Sequence, residues 1–376
     1  MKTRLFGLIA TAALMALPVA AQAPGAPPAP PASPRPAPAP PAVGNELGRI
    51  PVVMYHAIGA KGKYDKEGLN ISPATFRKQL ELMLKAGWYP VNFRDLFVPG
   101  GLQQVPAGKT PVVLTFDDAR GTQFRYLKDG RIDPNCAVGI LEAFHQKHGD
   151  AWPQRATFFV LPASKYTDAP FGQVGSVQKK FRFLLDNGYE IGNHSTNHRN
   201  MRHMPAERVA QEVIACRDYV RKIAPDATID TFCLPYGEAP ADPARLDLIL
   251  NPDGKPQGQN LGICIAWGDE SYSVYDKRFD RRKVTRFGVH PGRFEKAIAR
   301  LGPGGRDHRK LYISDGDPTV VTAPKEFAAF ARPESLAGAR LVVRNPAPAK
   351  APAAAAAAPA ASPARKKPTA TRTSRR

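Results

Sequence analysis

One stretch limits the fold of this chain more than any other. Val112, Val113, Leu114, Thr115 and Phe116 form an apolar, β-branched run that ends abruptly in Asp117 and Asp118, followed by Ala119 and Arg120. Lacking the polar alternation of a half-exposed strand, the run reads as a buried parallel strand. Acids at its carboxyl end then lie where α/β sheets and barrels place their active sites. Neighbouring side chains on an extended chain point opposite ways, so one acid can bind a metal and the other hold a proton. Alone, an Asp here could simply cap the next helix.

A second stretch has the same form. Tyr189, Glu190, Ile191, Gly192 and Asn193 read as a short strand, which runs into His194-Ser195-Thr196-Asn197-His198. Imidazoles four residues apart share a face if the loop turns helically, close enough to grip one ion. With one Asp they make a two-His, one-carboxylate set that leaves coordination positions open for water and substrate. A lone His pair can be surface decoration. Two strands that both end in ligand-type residues favour a joint site.

Three stretches in order now resemble a family. Thr115-Phe116-Asp117-Asp118, His194 to His198, and Phe232-Cys233-Leu234-Pro235-Tyr236-Gly237 are similar to the first three motifs of the polysaccharide deacetylases, carbohydrate esterase family 4. The resemblance covers roughly residues 50 to 300. The third motif matches only in its Pro-Tyr-Gly half: Cys233 stands where many members carry an Arg that orients the catalytic Asp. The opening strand Pro51 to His56 resembles the branch that de-N-acetylates poly-N-acetylglucosamine, which often lacks that Arg as well.

The resemblance implies a divalent ion on Asp118, His194 and His198. The ligand mix suits Zn²⁺, with Co²⁺, Ni²⁺ or Mn²⁺ as substitutes. Asp117 is then the general base, and Pro235, Tyr236 and Trp267 contribute to the substrate and oxyanion side. The proton donor is His56, at the end of the first strand, or His290, at the end of a late one; the Tyr-His branch favours His56. Implied is hydrolysis of N-acetyl groups on an amino-sugar polymer. An acetyl-ester hydrolase acting on another polysaccharide and a non-catalytic glycan-binding envelope protein are the alternatives.

The ends of the 376-residue chain are not core material. Residues 1–21 carry Lys2 and Arg4, an apolar run from Leu5 to Leu17, and Val19-Ala20-Ala21 before Gln22, the pattern of a secretory signal. Export to the periplasm or cell surface is expected. Residues 22–48 form a Pro-rich linker, with ten prolines in the 22 positions from Gln22 to Val43; such a segment favours extended polyproline conformation. Residues 346–376 hold seven basic residues and no acids and read as a disordered Ala/Pro-rich tail. The formal charge of +20 points to an anionic partner. The tail can hold the protein to an acidic envelope polymer or simply be solvated; nucleic acid is the competing partner, and the secretory pattern argues against it.

Between these ends, residues 49–345 are expected to be one deacetylase-like domain. Strands alternate with helices, which implies parallel pairing and right-handed crossovers. Seven or so units suit an α/β fold of the distorted (β/α)7-type barrel. Cys136, Cys216, Cys233 and Cys264 lack zinc-type spacing, and one or two disulfides are compatible with an oxidising compartment. Cys233 is read as pocket wall.

Overall fold

The computed structural model describes residues 44–59, 69–163, 168–255, 258–266, 268–336 and 338–345. The predicted leader, most of the Pro-rich linker, the basic tail and Trp267 lie outside the described residues.

Eight parallel strands form the central sheet: β1 (Val52–Tyr55), β2 (Trp88–Val91), β3 (Thr110–Phe116), β4 (Thr157–Val160), β5 (Glu190–Asn193), β6 (Thr231–Cys233), β7 (Gly262–Cys264) and β8 (Phe287–Gly288). Their order is β7-β6-β5-β4-β3-β1-β8, and β2 also pairs with β3. Val113 of β3 pairs with both Val52 and Val91, and β4 takes over one edge from Thr115 onward. All seven residues of β3 are buried, as its unbroken apolar pattern requires.

The two ends of the sheet meet through one segment. Val284 bridges Cys264 of β7, and three residues later Phe287 pairs with Val53 of β1. The sheet thus curls into the expected distorted barrel. The segment from Val284 to Val289 is regular strand only at Phe287–Gly288, because it changes partners midway.

Helices pack outside: α1 (Pro73–Lys85), α2 (Ala137–His148), α3 (Val177–Asp186), α4 (Ala206–Ile223), α5 (Ala244–Leu250) and α6 (Arg293–Leu301). In α1 the Ser72 side chain accepts the Thr75 N–H at 3.0 Å and Pro73 opens the first turn, a cap worth about 1 kcal/mol. Phe76, Leu80 and Met83 form its buried stripe, and Gly87, with φ 77°, turns the chain away after it. In α4 the apolar stripe Val209, Val213, Cys216 and Val220 is buried as its spacing requires, and Glu212 lies buried within it. No helix among the described residues is long and apolar enough to cross a membrane.

The amino-terminal end of the barrel is covered by the two ends of the folded region. Arg49–Ile50 pairs antiparallel with Ser271–Tyr272, and Val320–Pro324 pairs parallel with Arg340–Arg344. Residues 44–48, assigned to the linker on sequence, belong to this layer: the Glu46 N–H donates to the Thr322 carbonyl at 2.7 Å, and Leu47 is buried. The boundary drawn at 49 is therefore late, because the Pro-rich composition stops at Val43 and Leu47 has apolar surface to bury. All four cysteines are buried free thiols, so the bridges that the compartment permits are not formed.

Candidate active site

The opposite, carboxyl end of the barrel gathers the polar side chains. Asp117 is still held in the sheet, its N–H donating to the Tyr55 carbonyl at 3.0 Å. Asp118 and Ala119 then leave it through left-handed backbone, at φ 73° and 45°. Residues other than glycine adopt such conformations at a cost of order 1–3 kcal/mol, and they collect at functional sites. The turn separates the two carboxylates, as their adjacency at a strand end predicts.

Asp118 uses its two oxygens differently. Oδ2 accepts from Arg120 Nε at 3.1 Å and Nη2 at 2.9 Å. Oδ1 is buried with no hydrogen-bond partner and faces His194 Nε2 at 3.5 Å and His198 Nε2 at 3.2 Å. His194 Nδ1 lies 2.9 Å from the Cys233 carbonyl. A carbonyl only accepts, so Nδ1 carries the hydrogen and Nε2 presents a lone pair. A buried anionic oxygen and a lone pair facing one another repel unless a cation lies between them. Asp118, His194 and His198 offer three ligand atoms within 4.8 Å of one another, so the residues present fit a divalent ion with N/O preference.

The loop joining the two imidazoles is not the helical turn expected from their spacing. Ser195 and His198 have φ 65° and 50°. Asn193 Oδ1 accepts the Ser195 N–H at 2.9 Å, and Ser195 Oγ accepts the His198 N–H at 3.1 Å. Glu212 of α4 accepts the N–H groups of Thr196 and Asn197 at 3.0 and 2.9 Å. The two rings end 4.9 Å apart. A buried carboxylate, rather than helical periodicity, holds them there. An acid inside an apolar helical stripe was the signal in the sequence.

Asp117 faces the barrel interior. Arg286 Nη1 donates to its Oδ1 and Nη2 to its Oδ2, both at 2.8 Å, and this guanidinium is 1% exposed. His56 Nε2 is 3.8 Å from Asp117 Oδ2, and His56 Nδ1 is buried without a partner. Gln123 Nε2 donates to the carbonyls of both His56 and Asp117, at 2.9 and 2.5 Å, tying the two strand ends together. Cys233 Sγ approaches Asp117 Oδ2 at 3.5 Å, so it does line the pocket. Arg286, Gln123 and Glu212 were not singled out on sequence.

Burial raises the proton affinity of Asp117, yet the Arg286 guanidinium outweighs it and holds the carboxyl well below the usual carboxylate range. Burial lowers the pKa of His56 despite the two nearby carboxylates.

The remaining candidates lie at the rim or beyond. Pro235 is buried, whereas Tyr236 is 54% exposed, has φ 59°, and sets its ring edge-on to His198 at 4.7 Å. Gly237 follows at φ 65°, where a Cβ would overlap Ala266. His290 is exposed, its Nδ1 2.7 Å from the Pro291 carbonyl. It lines a cavity of about 570 Å³ with Met54 and Phe287, whose walls include none of the site residues.

Residues 104–247 match the family model described as polysaccharide deacetylase. That range contains both carboxylates and both imidazoles but neither His56 nor Arg286. The fold is similar to that of the Streptococcus pyogenes deacetylase PplD, solved in complex with acetate: TM-score 0.51, 19% identity, 68% of this chain and 99% of that one covered. It is also similar to BC0361, a polysaccharide deacetylase from Bacillus cereus, at TM-score 0.50 and 14% identity, covering 66% of this chain and 69% of that one. No curated protein matches the chain. Residues 104–247, which hold both carboxylates and both imidazoles, are thus similar to the polysaccharide deacetylases, and the barrel around them has the fold of these solved deacetylases.

Proposed function

We propose that this protein removes N-acetyl groups from an N-acetylglucosamine-containing polymer of the cell envelope, using a divalent ion, zinc by preference, held by Asp118, His194 and His198. One observation carries the reading: the partnerless Asp118 Oδ1 faces two imidazole nitrogens inside a buried pocket. When bound, the ion supplies Lewis acidity that makes water more acidic and polarises the acetyl carbonyl. Asp117 takes the proton of the water that adds to that carbonyl. A backbone N–H near Tyr236 donates to the oxygen on which charge develops, a contribution often worth about 3 kcal/mol per donor. The proton that Asp117 takes passes to His56, whose Nε2 lies 3.8 Å away, and His56 gives it to the departing nitrogen as the C–N bond breaks, leaving a free amine and acetate. The exposed Tyr236 ring at the mouth suits stacking on a sugar face.

The secretory pattern of residues 1–21 and the Pro-rich linker support an exported enzyme, periplasmic or at the cell surface. The basic tail, residues 346–376, suits attachment to an anionic envelope polymer. Acetate release from poly-N-acetylglucosamine, peptidoglycan, chitin oligomers and acetyl-xylan tests the reading. The expected result is release from an N-acetylated polymer, abolished by chelation and restored by zinc. Release from acetyl-xylan alone would make the protein an esterase; release from none with metal bound would leave a glycan-binding protein.

A further inference from the structure

The buried stripe of α3 holds one residue out of keeping with the rest. Beside Val177, Phe181 and Leu184 stands Lys180, its side chain fully buried. No carboxylate pairs with it among the described residues. Its Nζ donates to the Phe171 carbonyl at 2.9 Å and faces the Phe124 and Phe171 rings, 5.7 and 5.8 Å from their centroids. Burial pulls the amine down to about 8 from an ordinary 10.5, so the surroundings oppose its charge. An apolar side chain of the same length would fill the stripe without that penalty. A lysine kept here serves the group to which it donates.

That group belongs to strained backbone. Phe171 has φ 62°, and its ring is packed among Phe124, Phe158 and Phe181. With the ring held and the backbone left-handed, the carbonyl faces α3, where Lys180 satisfies it; a buried carbonyl without a partner is costly. On its other side Phe171 donates its N–H to the Ala119 carbonyl at 2.7 Å. Ala119, at φ 45°, directly follows Asp118, at φ 73°. The amine, the Phe171 backbone and the turn that presents Asp118 therefore form one hydrogen-bonded chain, with Lys180 at its inner end. We propose that Lys180 is a positioning residue for the metal site: through Phe171 it holds the left-handed turn at 118–119, and with it the direction of Asp118 Oδ1. The inference rests on reading Asp118, His194 and His198 as the ligand set. Charged or neutral, a lysine amine has N–H groups to donate, so the hold does not depend on its titration.

The test titrates zinc-loaded full-length protein with a competing chelator, and records the melting temperature of every variant. Lys180→Met keeps the length of the side chain and removes the donor. The expected result is a zinc Kd about 10-fold weaker, within the range by which outer partners of metal ligands set affinity. Lys180→Arg keeps a donor on a long stem and should recover most of the affinity. Leu184→Ala opens a cavity further along the same stripe; it should lower the melting temperature and leave the zinc Kd unchanged. An unchanged Kd in Lys180→Met, or an equal loss in Leu184→Ala, overturns the proposal. A folded Lys180→Arg that binds zinc as weakly as Lys180→Met contradicts it as well. If Lys180→Met does not fold, Lys180→Gln, whose amide stops short of the carbonyl, replaces it with the same expectation. Wild-type protein that binds no zinc, or binds it as tightly after Asp118→Ala, would instead refute the ligand set, so the two failures are distinguishable.

Discussion

Glu212 and Asn197 are joined twice: one carboxylate oxygen accepts the Asn197 backbone N–H at 2.9 Å and the other accepts its side-chain amide, also at 2.9 Å. The neighbouring Thr196 N–H makes a third bond to the same group. A buried acid on α4 thereby holds the loop between His194 and His198 in its strained course. Outer partners of this kind typically set metal affinity by about 10- to 100-fold. Glu212→Ala should weaken zinc binding by that factor while the β-sheet circular dichroism is kept. Calorimetric titration checks it, and an unchanged Kd would show that the loop holds itself.

Asp117→Asn should retain zinc and lose turnover by about 100-fold or more, the usual contribution of a positioned general base. Zinc content and acetate release on the same sample decide it. A rate near wild type would place the base elsewhere.

Comparing His56→Ala with His290→Ala assigns the proton donor. His56 Nε2 lies 3.8 Å from Asp117, whereas His290 faces a cavity that none of the site residues line. Only His56→Ala should lower kcat strongly, by about 100-fold. A large loss in His290→Ala with little in His56→Ala would reverse the assignment.

Stability should fall as pH rises towards neutrality, through Glu46. Burial, with Asp315 adding to it, pushes this carboxyl up to about 7 in the folded protein against an ordinary 4.5. Between those values the folded state binds more protons than the unfolded one, so stability declines as pH rises and levels off above 7. Glu190 is pushed up to about 7 by burial as well, so Glu46→Gln should flatten that slope by about half and be the more stable protein at pH 8, by on the order of 2 kcal/mol. Thermal unfolding from pH 5 to 8 measures this; parallel slopes for both proteins would contradict it.

What the sequence disclosed was local. The buried strand before Asp117 lies within one run of residues and appears where its pattern places it. The His194–His198 pair was visible as a pair, but the turn that joins it was not, because Glu212 and Asn193 override helical geometry. Arg286 could not be linked to Asp117 from spacing: the two are 169 residues apart and meet only because the barrel closes. An Arg on a short, irregular strand carries no signal of its destination. Likewise, the packing of residues 44–48 depends on Ile313 and Thr322, far along the chain.

The central claim is that one cation is shared by Asp118, His194 and His198. Diffraction from zinc-soaked crystals, recorded on both sides of the zinc absorption edge, tests it most directly. The account predicts one anomalous peak about 2.0–2.2 Å from Asp118 Oδ1 and the Nε2 atoms of both histidines, absent in Asp118→Ala. A fully occupied ion elsewhere, or a peak that survives Asp118→Ala unchanged, would contradict it.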